Sequence, residues 1–161
     1  EIVVDCRGFK ASSAIEGLRP VKGEMLLVKT PEISLSRPVR LLHPRIPLYV
    51  VPRDDQHFMI GATMVESGQS NKFSVRSMLE LLGSAYALHP SFAEAEIVEM
   101  GVDLRPAFID NLPRVERKDN LWSINGLYRH GYLLAPYMAQ IAAKSIIENS
   151  ETIEKLSEFS C

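Results

Sequence analysis

Apolar positions along the chain change period twice. Up to about residue 65 they come in short β-branched or aromatic runs, broken by proline, glycine and charged pairs. Residues 1–5 end at Arg7-Gly8 and predict a strand, with a loop or short helix over 9–19. "KGEMLLVKT", residues 22–30, predicts a strand closed by Pro31. Residues 31–37, with Ser and Pro, read as a connection. "VRLLHP", "PLYVVPR" and "HFMIGATMV" follow closely, separated by Pro44, Pro47, Pro52 and "RDDQ" (53–56). Antiparallel strands joined by tight turns have this signature.

At Ser74, a good N-cap residue, the period becomes helical. Val75, Met78, Leu79, Leu82 and Tyr86 mark the apolar face of a helix over 74–88. It should stop near His89-Pro90, because a residue before proline avoids the α region. A short helical turn over 91–95 leads into a long alternating strand, 96–106. Residues 112–119 and 121–126 read as a hairpin turning at Asp119-Asn120. A helix over 135–148 then presents Leu134, Met138, Ile141, Ala142 and Ile146 on one face. Pro136, read as confined to the first turn, would fix its start. The polar residues 149–161 are expected to fray. The sum is an α+β fold: a large, mostly antiparallel sheet with two longer helices.

The composition narrows the function classes. A chain of 161 residues with 46% hydrophobic and 24% charged residues makes one ordinary globular core. Its net charge of −2 argues against nucleic acid or an anionic membrane surface as partner. No apolar run reaches about 18 residues, so a membrane span is not expected. Cys6 and Cys161 form neither a disulfide framework nor a ligand spacing, and read as reduced thiols of a cytoplasmic protein. The four histidines share no ligand spacing, so no metal site is expected. Neither a G-x-G-x-x-G nor a Walker loop occurs, and no catalytic nucleophile can be argued. The chain begins on "EIVVDCRG" without methionine, which suggests the C-terminal part of a longer protein.

Three stretches could carry chemistry. In "NGLYRHGYLLAP" (125–136), Gly126 and Gly131 bound a turn holding Arg129 and His130 ahead of a helix start. Such a turn lets backbone come close to a ligand and offers free amides to an electron-rich group; a plain strand-turn-helix is the alternative. In "GVDLRPAFIDNLP" (101–113), Arg105 stands at a strand end before Pro106. Its planar fork suits a carboxylate ligand, or else a surface ion pair with Asp103 or Asp110. Tyr49 and Met64, in "LYVVPR" and "IGATM", are candidates for a pocket wall or for core.

"PVKGEMLLV", "LYVVPRDDQHFMIGATMVES", "GVDLRP…DNLP" and "NGLYRHGYLLAP", in this order, resemble the C-terminal half of flavin-dependent amine oxidases of the D-amino-acid oxidase type. Within that family the resemblance is nearest to the glycine oxidases of bacterial thiamine biosynthesis, and it covers about residues 1–148. It implies FAD as cofactor and a small amino acid as substrate, oxidatively deaminated with release of hydrogen peroxide. It implies that 1–19 end the FAD-binding domain, that 20–110 form the substrate-binding sheet, and that 111–161 return to the FAD side. Arg105 would pair with the substrate carboxylate, and Tyr49, Met64 and Arg129 would line the substrate pocket. Gly126, Arg129, His130, Gly131, Tyr132, Leu133 and Leu134 would run along the flavin. No catalytic side chain is implied, because the cofactor carries the difficult step. The N-terminal FAD-binding domain is then the missing partner. Without it these residues are expected to be inactive and to self-associate as a homo-oligomer through the exposed face. Sarcosine or D-amino-acid oxidation, and a non-catalytic binding module, remain alternatives.

Overall fold

A computed structural model describes residues 1–43, 46, 48–53, 56–68, 72–148 and 154–155. Its elements are β1 (Val3–Asp5), β2 (Arg19–Lys29), β3 (Val39–Leu41), β4 (Leu48–Pro52), β5 (His57–Gly61), α1 (Val75–Leu88), β6 (Glu96–Ala107), β7 (Arg114–Lys118), β8 (Leu121–Asn125), α2 (Gly131–Ile147) and β9 (Glu154–Lys155). Short 3-10 turns cover Gly8–Ala11 and Pro90–Glu94. The expected α+β composition, two longer helices with mostly antiparallel strands, is what the chain adopts. The contacts divide it into two compact units, Lys22–Asp103 and the pair of segments Glu1–Val21 and Leu104–Cys161.

The unit Lys22–Asp103 is built on a sheet of order β3-β4-β5-β2-β6. Tyr49 pairs with Gly61, and Met25 with Gly61 from the other side. Alternation sends Leu26, Val28, Leu48, Val50, Phe58 and Ile60 to one face, where they are buried with Leu81 and Ala85 of α1. Phe58 and Phe92 meet edge to face at 5.8 Å.

The helical period over α1 was legible, and the face in part: of the expected contact residues, Met78 and Leu82 pack against the core. The others, Val75, Leu79 and Tyr86, are 77%, 69% and 57% exposed. The buried side is shifted round the helix, so that Ser77, Leu81 and Ala85 are buried, with Met78 and Leu82 packed beside them. Ser74 caps the helix as expected, accepting from the Ser77 N–H at 3.1 Å. The strand expected over 57–65 ends at Gly61, and Val65 returns only as a bridge to Lys22. The expected turn residues Pro44, Pro47, Asp54 and Asp55 lie outside the described residues.

The other unit holds a sheet of order β1-β8-β7-β9. β1 joins β8 in parallel, and β7 and β8 form the expected hairpin, with Asp119 at φ 55° in its turn. Asp5 closes β1 by accepting from the Arg7 backbone at 2.9 Å and from its guanidinium at 2.7 Å. Those hydrogen bonds hold the Asp5 carboxyl below the usual carboxylate range. The expected face of α2 is the buried one: Met138 and Ala142 pack on Val115 and Trp122, flanked by Leu134, Ile141 and Ile146. The helix starts at Gly131, however, ahead of the expected residue 135, so Pro136 lies inside it. Proline there deprives only the Tyr132 carbonyl of a donor. Tyr132 is fully exposed, so water can take that carbonyl. Among the described residues no helix is long and apolar enough to cross a membrane. Of the expected fraying tail, 149–161, only Glu154–Lys155 is described; it pairs with β7, and the rest lies outside the described residues.

Candidate functional site

In the unit Glu1–Val21 with Leu104–Cys161, the end of β6 carries a half-buried Arg105. The bend after β8 lies directly against this strand end. The Tyr128 N–H donates to the Pro106 carbonyl at 3.0 Å. Gly126 makes the bend possible with φ 78°. A Cβ there would sit 2.3 Å from the Phe108 ring, so the close approach serves a buried aromatic side chain. Gly131 differs: its nearest neighbour to such a Cβ would be Leu127, at 3.9 Å. Buried Asn125 holds the bend, accepting from the Gly126 N–H at 2.8 Å and donating to the Gly8 carbonyl at 3.0 Å.

Two cations accompany the bend. The guanidinium carbons of Arg19 and Arg129 each lie 5.8 Å from the centre of the Tyr128 ring, within cation–π range. Arg129 Nε also donates to His130 Nε2 at 3.1 Å. No side chain caps the start of α2 at His130, whose N–H donates to the Leu127 carbonyl at 3.0 Å; a helix N-terminus presents partial positive charge. Tyr132 and Leu133 are 102% and 75% exposed beside it, whereas Leu134 turns inward onto the Trp122 cluster. Asp110, weighed above as a partner for Arg105, is taken by Arg114 at 3.0 Å. The Leu112 N–H, then Arg114, hold its carboxyl below the usual range.

In the unit Lys22–Asp103, Tyr49 lies on the sheet face opposite Leu48 and Val50. Its ring spreads over Gly61, where a Cβ would come within 2.9 Å of Tyr49 Oη. Met64 is 40% exposed, in the segment that leaves β5. Behind that segment sits a fully buried carboxylate, Glu24. Its Oε1 accepts from Lys22 Nζ at 2.9 Å and from the Ser74 N–H at 2.8 Å. Its Oε2 accepts from Thr63 Oγ1 at 2.9 Å and from the Ser77 hydroxyl. Burial pushes this carboxyl up, but the bonds from Ser77, Lys22, Ser74 and Thr63 outweigh it and bring the pKa down to about 2.

Each unit also has a cavity that the sequence did not announce. One, of about 350 Å³, is lined by Met25, Leu27 and Met59 with Arg53, His57 and Glu99. The other, of about 580 Å³, lies among Ile15, Phe108, Arg114 and Arg117. Neither is lined by Tyr49, Met64, Arg105 or Arg129.

The candidates thus fall into two groups: Tyr49 and Met64 in one unit, and Arg105, Gly126, Arg129, His130, Gly131, Tyr132, Leu133 and Leu134 in the other. Glu24 and Asn125 were missed as supporting residues. Alternation could have exposed Glu24, because positions 22, 24, 26 and 28 share the buried face of β2.

The family described as FAD dependent oxidoreductase matches residues 1–145. A putative thiamine biosynthesis oxidoreductase, ThiO, of Rhizobium etli is 53% identical over 156 residues, which are 96% of this chain and 48% of that protein. A glycine oxidase of Pseudomonas aeruginosa is 35% identical over 77% of this chain and 34% of its own length. The crystal structure of glycine oxidase from Geobacillus kaustophilus superposes with a TM-score of 0.78 at 28% identity, over 99% of this chain and 45% of that one. The chain therefore spans about half the length, or less, of the relatives it matches.

Proposed function

The chain belongs to the FAD-dependent oxidoreductase family, and from that premise we propose that the whole protein is an FAD-dependent oxidase of a small amino acid, glycine first, serving thiamine biosynthesis in the cytoplasm. The amine is oxidised to an imine, water hydrolyses the imine to a keto acid and ammonia, and dioxygen leaves as hydrogen peroxide. Arg105 offers the substrate carboxylate two parallel charge-assisted hydrogen bonds. Tyr49, Met64 and Arg129 are assigned to the substrate pocket, with residues 20–110 as the substrate-binding sheet domain. A flavin-binding half N-terminal to these residues is the proposed partner.

The start of α2 has the donor set such a cofactor needs. Its amides carry no side-chain cap, a cation stands at Arg129, and exposed apolar side chains follow at Tyr132 and Leu133. An electron-rich ring edge suits those amides and that charge. Gly126, Arg129, His130 and Gly131 through Leu134 are the residues proposed to run along FAD. Bound FAD supplies the two-electron acceptor. What remains for these side chains is to hold the α-carbon in place, a positioning task.

The observation that carries the proposal is the Tyr128–Pro106 hydrogen bond, which sets the carboxylate-binding arginine's strand end beside the glycine-bounded bend. In the full-length protein, Arg105→Ala should raise KM for glycine by about tenfold or more, since a charge-assisted pair is lost. A peroxide assay over glycine, sarcosine and D-alanine identifies the preferred substrate. An unchanged KM in the variant removes Arg105 from the site.

A further inference from the structure

Glu24 is the one carboxylate among the described residues that the structure buries completely, and no step of the proposed reaction uses it. Its bonds are unevenly distributed. Thr63 engages it three times: Oγ1 donates to Oε2 at 2.9 Å and accepts from the Glu24 N–H at 3.0 Å, and the Thr63 N–H donates to the Glu24 carbonyl at 3.1 Å. Two residues earlier on the same strand face, Lys22 exchanges both backbone bonds with Val65, at 2.8 and 3.0 Å. Met64 lies between these two fixed points.

The segment 62–64 has left the regular ladder of β5, so it lacks the continuous backbone pairing that fixes a strand. A buried charge network supplies the missing constraint. Lys22 Nζ bridges Glu24 to the Lys72 carbonyl at 3.0 Å, and the Ser74 N–H and Ser77 hydroxyl bring in the start of α1. Satisfied networks of this kind rigidify what they hold. An ordinary structural ion pair would stabilise the unit without bearing on Met64.

We propose that Glu24 is a positioning residue for the substrate site: through Thr63, and with Lys22 holding Val65, it fixes the segment that presents Met64. The inference rests on the assignment of Met64 to the substrate pocket, and the variants separate the two. All are made in the full-length flavoprotein, with KM for glycine and the thermal midpoint read together. Thr63→Val removes the hydroxyl from the carboxylate while keeping shape, and should raise KM by about fivefold or more, because displacements near 1 Å cost large factors. Ser77→Ala removes the bonds its hydroxyl makes to Glu24 and Ser74 at the start of α1 and leaves the Thr63 bonds in place, and should lower the midpoint with KM unchanged. Glu24→Gln should do both. Adding Lys22→Met to Glu24→Gln removes the stranded charge, and should recover the midpoint while KM stays high.

KM recovering together with the midpoint in that double variant would reduce Glu24 to a structural role and overturn the inference. So would a normal KM in Thr63→Val alongside a raised KM in Met64→Ala. A normal KM in Met64→Ala removes Met64 from the pocket, and the inference falls with it. Thr63→Val keeps the question answerable if Glu24→Gln does not fold.

Discussion

The Tyr128 N–H reaches the Pro106 carbonyl at 3.0 Å, tying the bend after β8 to the residue that follows Arg105. Gly126 opens that bend, and its missing side chain is the space the Phe108 ring fills. Gly126→Ala would place a methyl group 2.3 Å from that ring at a φ of 78°. Backbone strain and overpacking then add, each of order 1–3 kcal/mol. The thermal midpoint should drop by several degrees, and KM for glycine should rise because the Arg105 strand end shifts. A variant with wild-type midpoint and KM would mean that the bend does not depend on this contact.

Glu24 makes acid stability a direct readout of the buried network. Its pKa is lowered from 4.5 to about 2, so the folded state binds its proton later than the unfolded state does. The stabilisation is therefore fully present above the unfolded pKa and is lost as pH falls through the folded one. A shift of this size corresponds to about 3 kcal/mol. Urea midpoints of the full-length protein should hold steady from pH 7 to about pH 5 and then fall towards pH 2. Glu24→Gln should start lower at pH 7 and flatten the decline in that window. An equally steep decline in the variant would assign the acid transition to other carboxylates.

Much of the architecture was legible because its signals are local. Proline and glycine punctuation located β4 and β5, the Ser74 cap located α1, and Asp119-Asn120 located the hairpin turn. The candidate site was legible only through several motifs in a fixed order, since one arginine before one proline has many explanations. What escaped was decided by tertiary packing. The burial of Ser77 in place of Val75 depends on a carboxylate more than 50 positions away on β2. The start of α2 before Pro136 depends on that turn being open to water. The Tyr128–Pro106 bond joins residues that no periodicity relates.

The two faces of α1 offer a sharp contrast. Leu81 is 1% exposed in the core, whereas Leu79 is 69% exposed. Leu81→Ala should destabilise the unit by about 2–5 kcal/mol, from lost transfer energy and the cavity left behind. Leu79→Ser should change stability by no more than about 0.5 kcal/mol, as exposed substitutions do. Chemical denaturation of both variants in the full-length protein checks the assignment. A large loss from Leu79→Ser would show that the outer stripe is covered in the whole protein.

Tyr49 depends on the absence of a side chain opposite it. Gly61 pairs with it across β4 and β5, and a Cβ at Gly61 would come 2.9 Å from Tyr49 Oη and 3.0 Å from Cζ. Gly61→Ala must therefore displace the phenol, while the backbone of β5 has no positive φ to lose there. The strand should survive with a modest stability change, and the phenol should move by several tenths of an ångström. If Tyr49 lines the substrate pocket, kcat/KM for glycine should fall by about tenfold, the scale of a lost positioning contact. In Tyr49→Leu, the further change Gly61→Ala should then have little added effect, because the displaced group is already gone. Additive losses in the double variant would place the effect of Gly61 elsewhere than on Tyr49.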